Sequence, residues 1–447
     1  MLQRPGDMNG LLDQLEEKSR QNPADLDLLQ RLSRLYIRNG NNAEAEAVIE
    51  KVLKIAPDNA PVMVELADCQ IRRGAYEDAT YNIERALELR PGMPSAFIAM
   101  ARLYEAQGNV EKQVSFMMRA ANAAPDKSEI RLSLAETLKR YGDIGGAMAQ
   151  YKLILETWPD LEAALFSLGT LQLRQDDVAA AAGCFRKIIS GNPSAFDAHF
   201  NLASCYFRQR KYRMATEHFR VSQRQSDLAQ RSMYLMAQCY FKQHEYDHAI
   251  VSLEKLLELD ENNVSYLKSL AEAYEVAEEP DMARDVYRRL VAVAPERPEF
   301  IVRMASLMIE LGEHEKAEKA LDQLFRLHPG HVEGHRILGD LYAGRGDYRS
   351  AIEEYRRTLM INENNAKVFN ALARVYNALG NAEEEQQALK RAVDLGYESP
   401  QALLRLGQLE RQLSLPDSLS RFRRITELAP DSNCAREAEY FIRHKAA

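Results

Sequence analysis

The stretch AFDAHFNLASCYFRQRKYRMATEHF, residues 195–219, contains a pattern that the rest of the chain repeats. Its first half places four residues at intervals of three and four, which puts them on one face of a helix. These residues are His199, Leu202, Ala203 and Tyr206. Ala215 and Phe219 repeat the four-residue interval in the second half, beyond a polar segment. The stretch therefore predicts two short amphipathic helices joined by a turn.

The pattern recurs with a period of about 34 residues, and proline and glycine mark its phase. Each proline follows an apolar run where one helix must stop before the next begins. Each glycine lies between the two helices, where a left-handed conformation closes the first helix. The prolines are Pro23, Pro57, Pro91, Pro125, Pro159, Pro193, Pro295 and Pro329, and the glycines are Gly40, Gly74, Gly108, Gly142, Gly312, Gly346 and Gly380. A phase held over so many copies predicts a repeat array.

These marks predict twelve helical hairpins in residues 26–432, in one continuous solenoid. The first helices are expected to start at residues 26, 60, 94, 128, 162, 196, 230, 264, 298, 332, 366 and 400. Residues 1–25 and 433–447 each predict a single helix that caps one end, because a solenoid must cover its terminal apolar surfaces. Ser222–Arg231 and Gly396–Asp417 break the regular spacing, but neither has the composition of a domain linker.

The chain resembles the tetratricopeptide repeat family over nearly its whole length. Residues 199–219 match the family signature W-x2-L-G-x2-Y followed by A-x3-F, with His in the Trp position and Ala in the Gly position. The resemblance implies an all-α fold, an α-solenoid of antiparallel helix pairs that form a right-handed superhelix. It also implies a concave face, lined by the first helices, that binds peptides or protein segments. Pentatricopeptide arrays, which bind RNA, have similar hairpins, but the in-phase Pro, Gly and Tyr residues favour the tetratricopeptide family.

Charge and cysteine usage limit the classes of function. The 447 residues carry a net charge of −8, which disfavours general affinity for nucleic acid or anionic lipid. The five cysteines are an odd, scattered set without CxxC spacing, as is typical of reduced thiols. No run approaches 18 uncharged apolar residues, the length needed to span a membrane. We therefore expect a soluble, cytoplasmic protein.

The first helices of repeats five to seven carry large apolar residues at two positions that the hairpin packing pattern does not use. We expect these positions on the concave face, where grouped apolar side chains would anchor a bound peptide. The residues are Phe166, Leu173, Phe200, Phe207, Tyr234 and Phe241. The alternative is packing against neighbouring first helices, which aliphatic residues at one of these positions in repeats two to four support.

Basic residues follow these positions in a regular series, and a single asparagine lies among them. Arg174, Arg208 and Lys242 would pair with the carboxylates of an acidic peptide. The alternative is that they complement the dipole at the helix C-termini. Asn201 occupies the asparagine position of the carboxylate clamp known in the family, but the other clamp residues do not match. The predicted peptide-binding residues are Phe166, Leu173, Arg174, Phe200, Asn201, Phe207, Arg208, Tyr234, Phe241 and Lys242.

No motif predicts catalysis, a cofactor or a metal site. His331 and His335 are four residues apart, which suits a metal, but His335 falls in the Trp position of its repeat, so packing explains it. The sequence predicts a non-catalytic scaffold or adaptor whose partner is a protein segment, acidic with apolar anchors, within a multiprotein assembly. One alternative is a self-assembling structural protein, in which copies of the chain form a homo-oligomer. The other is an RNA-binding helical repeat, which the net charge disfavours.

Overall fold

The structure is a computed structural model that describes the backbone of residues 5–444 and the side chains of residues 10–444. Over this range the chain forms 26 α-helices and no β-strand. The outermost residues of the two predicted capping segments, 1–4 and 445–447, lie outside the described residues. The chain divides into two compact units, residues 1–225 and 226–447. Each unit is an array of consecutive helices packed in pairs.

The N-terminal unit contains one single helix followed by six hairpins. The single helix, α1, spans Pro5–Gln21. The hairpin helices are α2 (Leu26–Asn39), α3 (Asn42–Ile55), α4 (Ala60–Arg73), α5 (Tyr76–Leu89), α6 (Pro94–Ala106), α7 (Val110–Ala123), α8 (Ser128–Arg140), α9 (Ile144–Thr157), α10 (Glu162–Arg174), α11 (Val178–Gly191), α12 (Phe196–Arg208) and α13 (Tyr212–Ser222).

The C-terminal unit contains six further hairpins and then a single helix, α26 (Asn433–Arg443). The hairpin helices are α14 (Ser226–Lys242), α15 (Tyr246–Leu259), α16 (Val264–Val276), α17 (Pro280–Val293), α18 (Pro298–Glu310), α19 (His314–Leu327), α20 (Val332–Gly344), α21 (Tyr348–Ile361), α22 (Ala366–Leu379), α23 (Ala382–Asp394), α24 (Pro400–Gln412) and α25 (Ser418–Leu428). All first helices except α14 start at the residue expected from the repeat period. No proline precedes α14, so nothing prevents that helix from starting four residues early, at Ser226.

Every hairpin turn has one residue in the left-handed conformation, always at the same position of the repeat. Seven of these residues are the predicted glycines, such as Gly312 with a φ of 74°. The other five are Asp176, Arg210, His244, Glu278 and Ser414, with φ between 58° and 64°. The turn geometry is therefore constant even where the sequence lacks the residue that adopts it most easily.

The core of each hairpin forms where small residues let the two helices approach. One alanine position in the second helix is fully buried in nine repeats: Ala45, Ala79, Ala147, Ala181, Ala215, Ala249, Ala283, Ala317 and Ala351. Gly339 shows how close the approach becomes, because a β-carbon there would lie 2.6 Å from Cε1 of Tyr355. The prediction of an all-α fold built from repeated helical hairpins is confirmed.

Tyrosines near the ends of first helices also connect neighbouring repeats. Tyr274 Oη donates a hydrogen bond of 2.7 Å to Glu254 Oε1 in the second helix of the preceding repeat. Tyr342 donates in the same way to Glu318, at 2.9 Å. Tyr274 and Tyr342 therefore join α16 and α20 to the helices before them.

Candidate functional site

An open pocket of about 580 Å³ lies between α10 and α12, the first helices of repeats five and six. Its residues from α10 are Glu162, Ala163, Phe166 and Ser167, and its residues from the start of α12 are Ala195, Asp197 and Ala198. Phe166 is half-buried, and its ring meets Phe185 edge-on with centroids 5.9 Å apart. The pocket exists because small side chains surround one aromatic ring. It combines an apolar wall with two carboxylates.

Phe200 does not lie on this surface. Its side chain is only 6% exposed, and its ring packs edge-on against Phe219 at 5.6 Å, inside the hairpin of repeat six. Phe200 has the same position in its repeat as Phe166, yet it belongs to the core. Phe200 therefore has almost no exposed surface with which to contact a peptide.

Leu173 and Phe207 are half-buried near the C-terminal ends of α10 and α12. The ring of Phe207 meets Tyr212 edge-on at 5.5 Å, across the turn of its hairpin. Asn201 Nδ2 donates a hydrogen bond of 2.9 Å to the backbone oxygen of Asp197, on its own helix. These contacts leave Leu173 and Phe207 partly open, while the amide of Asn201 is directed to the backbone.

Some residues of the basic series bond to the preceding first helix. Arg208 Nη1 donates to the backbone oxygen of Leu173 at 3.0 Å and to Asp176 Oδ1 at 3.2 Å, at the C-terminal end of the preceding first helix. Arg140, at the same position two repeats earlier, donates to Glu105 at 2.6 Å. The contact of Arg208 with a backbone carbonyl at a helix end supports the helix-dipole interpretation for that residue, whereas Arg140 forms an ion pair between repeats. Arg174 is exposed, with its side chain at the open end of α10.

The remaining predicted residues lie in the C-terminal unit. The Tyr234 ring lies 5.1 Å from that of Tyr266, and its hydroxyl lies 3.2 Å from Ser269 Oγ, so it packs against the next first helix. Phe241 meets Tyr246 edge-on at 5.5 Å, and the Lys242 ammonium lies 5.9 Å from the Phe241 ring centroid. Lateral packing, the alternative interpretation of these aromatics, therefore applies to Tyr234.

The two histidines with metal-like spacing have other partners. His335 Nδ1 lies 2.6 Å from Glu354 Oε2, and its Nε2 lies 2.8 Å from the Pro329 backbone oxygen. His331 Nδ1 accepts a hydrogen bond from the Gly334 amide at the start of α20. Throughout residues 10–444, no group of three His, Cys, Asp or Glu side chains is arranged to hold a metal ion.

Two of the cysteines, Cys69 and Cys205, lie in an environment that suppresses their reactivity. All five are free, and Cys69 and Cys205 are buried in the core. Burial raises the pKa of both thiols to about 11, although Arg72 and Arg208 respectively act in the opposite direction. Both groups are therefore protonated at neutral pH, and a thiol is a much weaker nucleophile than a thiolate.

Two features escaped the sequence pattern. The pocket is shaped by three small residues, Ala163, Ser167 and Ala198. A pattern of small residues beside an aromatic position would have indicated them in the sequence. The partner of His335 was also missed, although the repeat period relates it to a second pair. His199 contacts His218 nineteen residues further on, and His335 contacts Glu354 at the same separation.

No helix in the described part of the chain is both long and apolar enough to cross a lipid bilayer.

Comparison with protein families gives matches along much of the chain. Three models described as tetratricopeptide repeat match residues 12–62 and 43–80, 94–127 and 366–395, and 234–298 and 302–367. Together these matches cover more than half of the chain. A fourth model, described as anaphase-promoting complex, cyclosome, subunit 3, matches residues 174–256.

Individual relatives are distant and match only part of the chain. Human protein O-mannosyl-transferase TMTC1 is 23% identical over 163 residues, which are 35% of this chain and 18% of the relative. TPR repeat-containing protein YpiA of Bacillus subtilis (strain 168) is 26% identical over 174 residues, 37% of this chain and 41% of the relative. Each match therefore spans less than half the length of the relative.

Among solved structures, that of Naa15/Naa10 bound to HypK-THB aligns with a TM-score of 0.43 and 14% identity, covering 91% of this chain and 69% of that chain.

Proposed function

Because this chain belongs to the tetratricopeptide repeat family, we propose that it is a non-catalytic scaffold or adaptor that holds a segment of another protein within a larger assembly. The pocket between α10 and α12 is the observation on which this proposal rests. An exposed concavity with an aromatic wall suits one apolar side chain of a partner. The surrounding residues are small, so they leave room for a peptide backbone.

The partner segment has a defined chemistry in this proposal. Its apolar anchor lies against Phe166, and its acidic residue pairs with Arg174 at the end of the same helix. Eight residues separate Phe166 from Arg174, which is about 12 Å along an α-helix. An extended peptide covers that distance in about four residues. The binding residues proposed are therefore Phe166, Leu173, Arg174 and Phe207, with less contribution from Asn201 and Arg208, which already bond to the backbone. Phe241 and Lys242 form a second, separate contact.

Affinity purification from the native host tests the proposal with a matched pair of variants. Ala163→Arg places a long cation in the pocket from an exposed position. Ala179→Arg makes the same change on α11, where the alanine is exposed but outside the pocket. We expect the wild type and Ala179→Arg to retain the same partner and Ala163→Arg to lose it. An unchanged set of partners on Ala163→Arg would contradict the proposal.

A second variant tests the acidic residue of the partner. Arg174→Glu reverses the charge at an exposed position, so the hairpin core should be unaffected. A partner that pairs a carboxylate with Arg174 should bind more weakly by about fivefold, because an exposed ion pair contributes up to about 1 kcal/mol. Isothermal titration of the isolated segment measures this change. Equal affinities would remove Arg174 from the site.

We also propose that the protein functions in the cytoplasm. All five cysteines are free, and free cysteines persist in reducing compartments. Fractionation of the native host, with the protein detected by antibody, measures its location. Recovery from an oxidising compartment would contradict this part of the proposal.

A further inference from the structure

A second groove of about 470 Å³ lies on the C-terminal unit, between the second helices α15 and α17. Its floor consists of four buried side chains: Leu257, Leu270, Tyr274 and Val286. Met282 forms part of its wall and is 45% exposed, a large fraction for an apolar side chain. The groove is therefore an apolar concavity that stays open to solvent.

Carboxylates line the edge of this groove. Glu254 and Glu258 are exposed on α15, and the hydrogen bond of Glu254 is to the neutral Tyr274 hydroxyl. Over the range with described side chains, no lysine, arginine or histidine forms an ion pair with either of these glutamates. Arg289 lies at one end, where its Nη2 donates to the Glu261 backbone oxygen at 2.9 Å. Two carboxylates thus face the groove without a cationic partner.

Glu261 and Asp285 also line the groove, and the Asp285 carboxylate, on the opposite wall, already has partners. Arg284 and Arg288 contact its Oδ1 at 2.9 and 3.2 Å. The segment 254–289 contains ten acidic and five basic residues, so its net charge is −5. Because the whole chain has a net charge of −8, more than half of the excess negative charge is concentrated in this one segment.

The repeat period shows that this character is specific to one groove. The equivalent positions one repeat further on lie in α17 and α19. Arg288 there replaces Glu254, and Lys316 and Lys319 replace Met282 and Asp285. The acidic, apolar surface therefore does not follow from the repeat pattern itself. These equivalent positions, basic where the groove is acidic, also provide a control surface.

We propose that the groove between α15 and α17 binds a basic segment of a partner protein that also carries an apolar residue. A lysine or arginine lies with its aliphatic stem on Met282 and its charge between Glu254 and Glu258, because long cationic side chains cover apolar surface while the charge stays near water. The adjacent apolar residue lies over Leu257 and Val286. Charge complementarity of this kind favours basic partners and excludes acidic ones.

This surface is independent of the pocket between α10 and α12, since it belongs to other helices and to the other unit. The Ala163→Arg variant should consequently leave binding at the groove unchanged. The two proposals can therefore fail separately.

Fluorescence anisotropy with the full-length protein and a labelled peptide tests the proposal. The probe is GKLKMKLKG, compared with the acidic peptide GELEMELEG and with GKSKSKSKG, which lacks apolar residues. We expect only the first peptide to bind measurably at moderate salt. The double variant Glu254→Gln/Glu258→Gln should weaken its binding by about tenfold, because two exposed ion pairs at about 0.7 kcal/mol each contribute about 1.4 kcal/mol together. Met282→Ser should weaken it by about fivefold through lost apolar contact.

The control variant is Lys316→Gln/Lys319→Gln, at the equivalent positions one repeat further on, which should leave the affinity within a factor of about two. Circular dichroism establishes that each variant remains folded. Equal binding of the acidic peptide, or wild-type affinity of the Glu254→Gln/Glu258→Gln variant, would overturn the proposal.

Hydrogen exchange with and without the probe locates the bound peptide. We expect added protection in α15 and α17, and protection confined to other helices would overturn the assignment. Sedimentation of the protein alone tests a different occupant, a second copy of this chain. Self-association that Glu254→Gln/Glu258→Gln abolishes would also overturn the proposal, because the groove would then be an interface between copies.

Discussion

A buried histidine and a buried glutamate form a pair in repeat ten, and we predict that each depends strongly on the other. The side chains of His335 and Glu354 are only 6% and 8% exposed, and their Nδ1 and Oε2 atoms are 2.6 Å apart. The Nε2 atom of His335 is also 2.8 Å from the Pro329 backbone oxygen. A carbonyl and a carboxylate can only accept hydrogen bonds. The imidazole must therefore donate from both nitrogens, unless Glu354 itself holds the proton.

Two single substitutions and their combination test this pair. His335→Phe keeps the stacking on Phe325, whose ring centroid is 4.1 Å away, but it leaves a buried carboxylate with Arg357 as its remaining cation. Breaking a buried ion pair costs about 3–5 kcal/mol, and the contact with Arg357 favours the lower limit of about 3 kcal/mol. Glu354→Leu leaves Nδ1 of a neutral His335 without a partner, which costs about 2 kcal/mol.

The double variant should be more stable than either single variant. It removes both polar groups, and a buried ion pair can often be replaced by apolar residues at little cost. The main loss is the hydrogen bond to Pro329, which contributes about 1 kcal/mol. Because independent effects would add to about 5 kcal/mol, the expected coupling free energy is about 4 kcal/mol.

Hydrogen exchange in α20 and α21 is the suitable assay, since a repeat array opens locally and not as one two-state unit. A loss of about 3 kcal/mol corresponds to protection that falls by about two orders of magnitude. The helices α10 and α11, in the other unit, provide the internal reference. Additive effects in the double variant would refute the reasoning, because they would mean that the two side chains do not interact.

Three further predictions concern helix packing, turn conformation and a buried carboxyl group. Gly339→Ala should destabilise its hairpin by about 1–3 kcal/mol, because the new β-carbon would lie 2.6 Å from a buried ring. Gly344→Ala meets no atom within 4 Å and should stabilise the same helix. Urea midpoints of the two variants and the wild type would show this order of stability. Arg210→Gly should stabilise the protein by about 0.5 kcal/mol, because glycine adopts the left-handed φ of 58° without strain. Gly312→Ala should destabilise it by about 1 kcal/mol, because alanine is strained at the left-handed φ of that turn. Thermal midpoints would show both changes. Burial raises the pKa of Glu410, whose side chain is 1% exposed, so the folded state holds this proton more tightly than the unfolded state. The contribution of this group to stability therefore falls as pH rises above 4.5. Glu410→Gln should gain stability relative to the wild type from pH 4.5 to 7, which paired urea titrations would measure.

Helix positions could be predicted from the sequence because local signals determine them. Proline before a first helix and an apolar stripe within it act over a few residues, and every first helix but one starts where they place it. The exception, α14, has no proline before it, but α16 and α22 also lack this proline and start at the expected residues, so the missing proline permits the early start without explaining it. The left-handed turns at Asp176 and Glu278 could not be read from composition, since the packed helices on either side force a conformation that these residues rarely adopt.

The candidate site was less predictable, because exposure depends on neighbouring repeats. Phe166 and Phe200 are one repeat period apart and occupy the same helix position, yet one lines a pocket and the other is buried. Ala198 on the next first helix is small and leaves space beside Phe166. A side chain at the boundary between the packed and open faces of a helix thus takes its exposure from residues one repeat away. Sequence periodicity identifies such positions but not their environment.

The histidine pair of repeat six shows how this fold separates geometry from chemistry. His199 Nε2 lies 3.2 Å from the Pro193 oxygen, the same contact that His335 makes with Pro329, and its Nδ1 lies 2.8 Å from Nδ1 of His218. Burial lowers the pKa of both His199 and His218, and His199 lowers that of His218 further. A lowered histidine pKa means that the unfolded state binds protons first, so this pair loses stability as pH falls below about 6.5. The same repeat positions thus hold two histidines in repeat six and, in repeat ten, a histidine with a carboxylate. The period sets where the side chains meet, and the residue at each position sets what they can bind, so a position that departs from its equivalents in the neighbouring repeats marks function better than the repeat signature does.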